Sequence, residues 1–113
     1  MALPAKHRLT ARKDIDRVFK SGKTGGGGFF FIRFLKNNLG YCRFGILAPV
    51  SVSKKATARN HIKRLISEAL KEHTQNNLSL DLAVVASVAI VGKTQKEIKR
   101  DLDEAIKKII VNQ

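Results

Sequence analysis

Ser53-Lys54-Lys55-Ala56-Thr57-Ala58-Arg59-Asn60-His61-Ile62-Lys63-Arg64-Leu65-Ile66-Ser67-Glu68-Ala69-Leu70 is the stretch on which the reading of this chain turns. From Ser53 to Arg64 it carries five lysines and arginines and one histidine, with no acidic residue. Its apolar positions, Ala58, Ile62, Leu65, Ile66, Ala69 and Leu70, recur at the spacing of one helix face. At about 100° per residue, Arg59, Asn60, Lys63, Arg64 and Lys71 fall on the opposite arc. Such a helix packs one stripe against a core and offers the other as a ridge of cations and an amide. That ridge suits phosphates.

The rest of the chain agrees. Its 113 residues suffice for one domain with a modest core, expected to span 1–113. Lys and Arg number 22 against 9 Asp and Glu, a formal charge of +13. A charge so far from neutral strains the compact state, and a polyanionic partner explains it. The excess recurs near the N-terminus, where Lys6, Arg8, Arg12, Lys13, Arg17, Lys20 and Lys23 meet only Asp14 and Asp16. After Thr94 the lysines alternate with Glu97, Asp101, Asp103 and Glu104, so nucleic acid is expected on the first two-thirds of the chain. The single Cys42 excludes an internal disulfide framework and suits a reducing, cytoplasmic setting. No apolar run approaches the roughly 20 residues that span a bilayer, and no signal-peptide core is present, so no membrane association is expected.

The spacing predicts a first helix between an N-cap at Thr10 and a stop at Gly22, with a narrow apolar face of Ile15, Val18 and Phe19. Gly25 to Gly28 predict a flexible glycine-rich loop over 23–28. Phe29 to Leu35 reads as a strand apolar on both faces, and Lys36 to Gly40 as a turn. Tyr41 to Ala48 reads as a second strand pairing antiparallel with the first, ended by Pro49. The basic helix is expected from about Lys55 to His73, followed by a polar loop at Gln75-Asn76-Asn77. Leu82 to Ala86 reads as a short buried strand. Thr94 and Glu97 form a capping box before a last helix whose stripe is Ile98, Leu102, Ala105, Ile106, Ile109 and Ile110. The order is helix, strands, helix, strand, helix: a small α+β sandwich.

No catalytic constellation emerges. Gly92-Lys93-Thr94 resembles the end of a P-loop, but the glycine needed five residues before Gly92 is Ser87, and capping explains Thr94. Phe30 takes the last glycine position of a dinucleotide fingerprint. His7, His61 and His73 lack metal-ligand spacing, and Cys42 reads as a small buried strand residue. The carboxylates mostly read as helix-surface groups, and none pairs with a plausible partner in a polar cluster. Five of the six phenylalanines and Tyr41 lie between residues 29 and 44 among basic segments, where aromatics can stack single-stranded bases, although a strand phenylalanine is more often core. Phe19 shares a face with Ile15 on a helix otherwise covered in cations. A helix–turn–helix DNA reader would need a short helix before the basic one, and Pro49 to Val52 offers none.

Arg59-Asn60-His61-Ile62-Lys63-Arg64-Leu65-Ile66-Ser67-Glu68 closely resembles the signature of the bacterial ribonuclease P protein subunit, in which Arg-Asn-Arg precedes a hydrophobic residue, Lys-Arg and a downstream Arg-Glu. His7 to Thr10, Asp14 to Gly22 and Arg43 to Ile46 are similar to the family's preceding segments, so the likeness runs in order over about residues 7 to 70. The resemblance implies an α-β-β-β-α-β-α fold with a left-handed βαβ crossover around the basic helix, akin to the second domain of a small-subunit ribosomal protein. It also implies an accessory role in removing the 5′ leader of precursor tRNA, catalysis lying with a partner RNA and its bound magnesium. No catalytic residue, cofactor or metal of the protein's own, and no obligate protein partner, is then expected. By the same resemblance Lys54, Lys55, Arg59, Asn60, His61, Lys63 and Arg64 face the catalytic RNA. Ile15, Phe19, Lys20, Phe31 and Arg33 line a cleft for the leader.

Three differences stand out. His61 replaces the signature's third residue, an arginine, giving up a permanent charge and a bidentate fork. The family's upstream Ser-Lys-Lys aligns, without gaps, on Pro49-Val50-Ser51 rather than on Lys54-Lys55. Ile15 takes the place of a cleft aromatic, and polyglycine precedes the first strand. A structural or ribosomal RNA-binding protein with no processing role is the alternative reading.

Overall fold

The computed structural model describes residues 3–26, 28–75 and 78–111. Helix α1 spans Arg12–Ser21, strands β1, β2 and β3 span Lys23–Gly26, Phe30–Lys36 and Arg43–Leu47, and α2 spans Ala56–Leu70. Strand β4 covers Leu80–Ala86 and α3 covers Gln95–Val111. This is the α-β-β-β-α-β-α order implied by the resemblance.

The four strands run β1-β2-β4-β3 across one sheet. β1 pairs antiparallel with β2, β2 antiparallel with β4, and β3 parallel with β4. The expected antiparallel pairing of β2 with β3 is therefore wrong. β4 lies between them because it is the most buried strand, apolar toward both layers, and the sheet centre is where both faces are covered. The parallel β3–β4 pair forces a crossover, and α2 is that crossover, its stripe laid on the sheet.

The glycine-rich segment also departs from expectation. Lys23–Gly26 is an edge strand, with Thr24 opposite Arg33 and Gly25 opposite Ile32; Gly27 lies outside the described residues. Backbone pairing needs no side chain, and the missing side chain has a use: a Cβ on Gly25 would come within 3.0 Å of Cγ1 of Ile109 in α3. Asp101 of α3 accepts hydrogen bonds from the backbone N–H groups of Gly28 at 3.2 Å and Phe29 at 3.0 Å, fixing the hairpin end. β2 itself alternates, with Phe30, Ile32 and Phe34 toward the core and Phe31, Arg33 and Leu35 on the other face, instead of being apolar on both.

One side of the sheet carries the main core, where Phe30, Ile32, Leu82 and Val84 meet Ile62, Ile66 and Leu70 of α2 and Ile98, Leu102 and Ile106 of α3. The other side carries α1 alone, over a small cluster of Leu9, Val18 and Ala83 flanked by Ile15, Phe19, Leu35 and Leu47. Helix starts follow local chemistry unevenly. Thr94 Oγ1 accepts the Glu97 N–H at 3.2 Å while Glu97 accepts the Thr94 N–H at 3.3 Å, the capping box read from sequence. Thr10 does not cap α1: the N-cap is Ala11, whose carbonyl takes the N–H groups of Asp14 and Ile15, with no side-chain cap. α2 ends as an α-helix at Leu70 and tightens into a 3-10 turn over Lys71–Gln75, so the expected end at His73 falls inside that turn. Cys42 is buried just before β3, its thiol donating to the Leu78 carbonyl at 3.1 Å, and burial pushes the thiol pKa up. Among the described residues no helix is long and apolar enough to cross a membrane.

Candidate nucleic-acid interface

The ridge of α2 stands where its periodicity placed it. Ile62, Ile66, Ala69 and Leu70 are buried, while Asn60, His61 and Arg64 are exposed, as are Lys54 and Lys55 just before the helix. The first turn holds no acidic residue, so the positive end of the helix dipole is uncompensated beside two free lysines. Arg59 is half-buried and turned back, its Nη1 donating to the carbonyls of Ser53 at 2.9 Å and Lys54 at 3.0 Å. It ties down the loop that carries the lysines. Lys63 points the other way, into an open groove.

That groove, of about 460 Å³, is walled by Ile15 and Phe19 of α1, Phe31 of β2, Val85 of β4 and Ile46 and Leu47 of β3, with Ala48, Pro49 and Lys63 at its rim. The wall is possible because α1 covers only part of its sheet face. Ala83 is small enough to let Val18 pack down, and Phe31 stays exposed, at 43%. An apolar trough with an aromatic on each wall and an ammonium at its edge can stack bases and hold a phosphate. The trough and the cationic ridge are continuous through Lys63. Lys20 is exposed on α1 but outside the groove lining. Arg33 is half-buried beneath α1, its Nη2 donating to the Phe19 carbonyl and its Nη1 to Thr24 Oγ1, both at 2.6 Å.

The sequence model of the family described as Ribonuclease P matches residues 3–110. A Legionella pneumophila ribonuclease P protein component is 34% identical over 102 residues, covering 90% of this chain and 88% of that one. The chain belongs to the ribonuclease P protein family. A Staphylococcus epidermidis member is also 34% identical, over 105 residues, with 89% of this chain and 88% of that one covered. The fold matches solved members as well. The Staphylococcus aureus protein superposes with a TM-score of 0.82 at 27% identity over 91% of this chain and 94% of that one. The Thermotoga maritima protein gives 0.80 at 26% over 89% and 96%. The chain is thus a protein component of an RNA-processing ribonuclease.

Within this family member, three features escaped the sequence reading. Leu47 and Val85 line the groove because strand parity and the β3–β4 register turn them to the α1 side, while Ile46, paired with Val84 and packed with the main core, also borders it. Neither is visible before the strand order is known. A buried ion pair also overturns the expectation that no carboxylate is paired in a polar cluster. Asp81, only 3% exposed in β4, takes Nε and Nη2 of Arg43 at 2.8 and 2.7 Å and Nδ2 of Asn37 at 2.7 Å. Asp14 of α1 reaches the same guanidinium at 3.5 Å, joining helix to sheet. The signal was present: a carboxylate beside an apolar strand run must find a cation or leave the core. The histidines do other work. His7 is buried with Nδ1 2.8 Å from the Cys42 carbonyl, and His73 Nε2 lies 2.7 Å from Asp103. Among the described residues no three His, Cys, Asp or Glu side chains are grouped to hold a metal ion.

Proposed function

We propose that this chain is the subunit of ribonuclease P that docks on the catalytic RNA through the exposed ridge of α2 and holds the 5′ leader of precursor tRNA in the groove beneath α1. The observation that carries this reading is the continuity of the two surfaces through Lys63, which lets the catalytic RNA on a phosphate-binding ridge and the leader in a base-stacking trough lie side by side. Lys54, Lys55, Asn60, His61 and Arg64 supply cations and donors on the ridge, and Phe19 and Phe31 supply the stacking faces. Lys20, exposed on α1 outside the groove lining, would supply a cation for a leader phosphate. Magnesium would be held by the RNA, whose phosphate oxygens are the hard ligands that the ion prefers, and would supply the hydrolytic chemistry. The protein's part is binding and orientation, so alone it should cleave nothing.

The test is cleavage of precursor tRNA by the partner RNA at low salt with magnesium, with and without the protein. The protein is expected to tighten substrate binding for a leader of several nucleotides and to do little for a leader of one. No change in affinity or rate for either substrate would reject the reading. Arg64→Ala should lower the slope of log affinity against log salt for the catalytic RNA by about one. An unchanged slope would move the docking face elsewhere.

A further inference from the structure

The guanidinium of Arg33 sits at the joint of three elements. Its Nη2 donates to the carbonyl of Phe19, in the last turn of α1, and its Nη1 to Thr24 Oγ1 on β1, each at 2.6 Å, from a residue of β2. Its Nε is enclosed without a partner. The last carbonyls of a helix have no partner within the helix, and a cation there also answers the negative end of the dipole. At the end of α1 the Val18 carbonyl is taken by the Gly22 N–H at 2.8 Å and the Phe19 carbonyl by Arg33. The exit is tight as well: a Cβ on Gly22 would lie 2.7 Å from the Phe34 carbonyl, so the chain must leave α1 pressed against β2. The rest of its hold on the sheet is thin: Val18 is its only fully buried residue, helped by the half-buried Ile15 and Phe19 and by Asp14 on Arg43.

From this we infer that Arg33 is a positioning residue: it clamps the last turn of α1 to the β1–β2 hairpin and thereby fixes the Phe19 ring in the groove, without itself touching RNA. This inference rests on the groove reading above and deepens it. A stacking platform discriminates only if its rings stay put, and Phe19 is carried by the least anchored helix of the fold. Each Nη nitrogen of Arg33 gives one N–H to a protein acceptor, and the two bonds together fix the guanidinium plane between α1 and β1. Thr24, the single hydroxyl of an otherwise Lys-Gly-Gly strand, completes the clamp, which gives the glycine-rich edge strand a part in holding the groove.

The experiment measures affinity of the reconstituted ribonucleoprotein for precursor tRNA with a leader of several nucleotides and with a leader of one, across a salt series. The variants are Arg33→Ala, Arg33→Lys, Thr24→Val, Phe19→Ala and the double variant Arg33→Lys with Phe19→Ala. Arg33→Lys keeps the charge but cannot span both acceptors, so it should weaken long-leader binding by about fivefold, the scale of one loosened stacking contact. Short-leader binding and the salt slope should not move, and the double variant should be no weaker than Phe19→Ala. Thr24→Val should show the same pattern at smaller size with Arg33 untouched, which keeps the test alive if Arg33→Ala unfolds. Full activity of Arg33→Lys, a fall of about one in the salt slope of Arg33→Ala, or multiplying losses in the double variant would overturn the inference and make Arg33 a direct phosphate ligand or a bystander. If Phe19→Ala itself leaves long-leader binding unchanged, the groove reading fails and this inference falls with it.

Discussion

The two faces of the sheet are built to different standards. Toward α2 and α3, Phe30, Ile32, Leu82 and Val84 disappear under two full helices, and the packing is continuous from Ile62 to Ile109. Toward α1, three apolar residues are buried and the rest of the face is half-covered, with Phe31 and the groove left open. The first face is where apolar area is removed from water and stability resides. The second face keeps only enough contact to hold α1, supplemented by polar ties: Arg43 to Asp14 and Asp81, and Arg33 to the helix end. The lesson is a division of labour: a thick side makes the thin side permissible, and the thin side can present aromatics that a denser packing would have consumed.

The largest effect should come from the thick side. Leu102 is fully buried, and Leu102→Ala is expected to cost about 3 kcal/mol in denaturant unfolding, through lost transfer energy and the cavity left behind. Leader affinity of the folded fraction should stay as it was. A cost under about 1 kcal/mol would erase the distinction between the faces. Next, Phe31→Ala on the thin side should leave the unfolding midpoint nearly unchanged and weaken long-leader binding about tenfold, as the loss of one stacking platform does. The reverse pattern, a large stability loss with intact binding, would make Phe31 a core residue.

The smallest effect concerns the seam between the turn after α2 and α3. Burial alone would raise the pKa of Asp103, but the hydrogen bonds from Lys99 and His73 outweigh it and hold the carboxyl below its ordinary 3.8. Lys99 is in turn raised above its ordinary 10.5, first by Asp103 and then by Glu72. A depressed carboxyl stabilises the fold above its unfolded pKa and loses that contribution as pH falls through the folded one, so the loss lies below about pH 4. A raised amine does the opposite, losing its contribution above about pH 10. The pairs are well exposed, so solvent screening limits the effect to about 0.5 kcal/mol. Thermal unfolding from pH 3 to 7 should show an acid limb that Asp103→Asn flattens; an identical limb in that variant would assign acid sensitivity elsewhere.

Much of this was legible in the chain because it is local. Periodicity located α2 and α3 and named their buried stripes, the Thr94–Glu97 box fixed a helix start to the residue, and the cations of the ridge followed from counting charge along one helix. The site was legible in part. Ile15, Phe19 and Phe31 do meet in one groove with Lys63, whereas Arg33, expected at the leader, is engaged with α1 and β1. Lys20 stays outside the lining. The errors share one cause. Whether Gly25 belongs to a loop or a strand, and whether β3 lies beside β2 or β4, depends on partners remote in sequence.

By itself, then, the sequence determined the charge, the amphipathic ridge of α2 and the class of partner that such a ridge suits, since these rest on spacing within a few turns of chain. Only the tertiary structure decided the strand order, the burial of Asp81 against Arg43, the groove and the clamp at Arg33. Those depend on which strand edges and faces meet across distances of tens of residues. A one-step change of strand register would send every one of those side chains to the opposite side of the sheet.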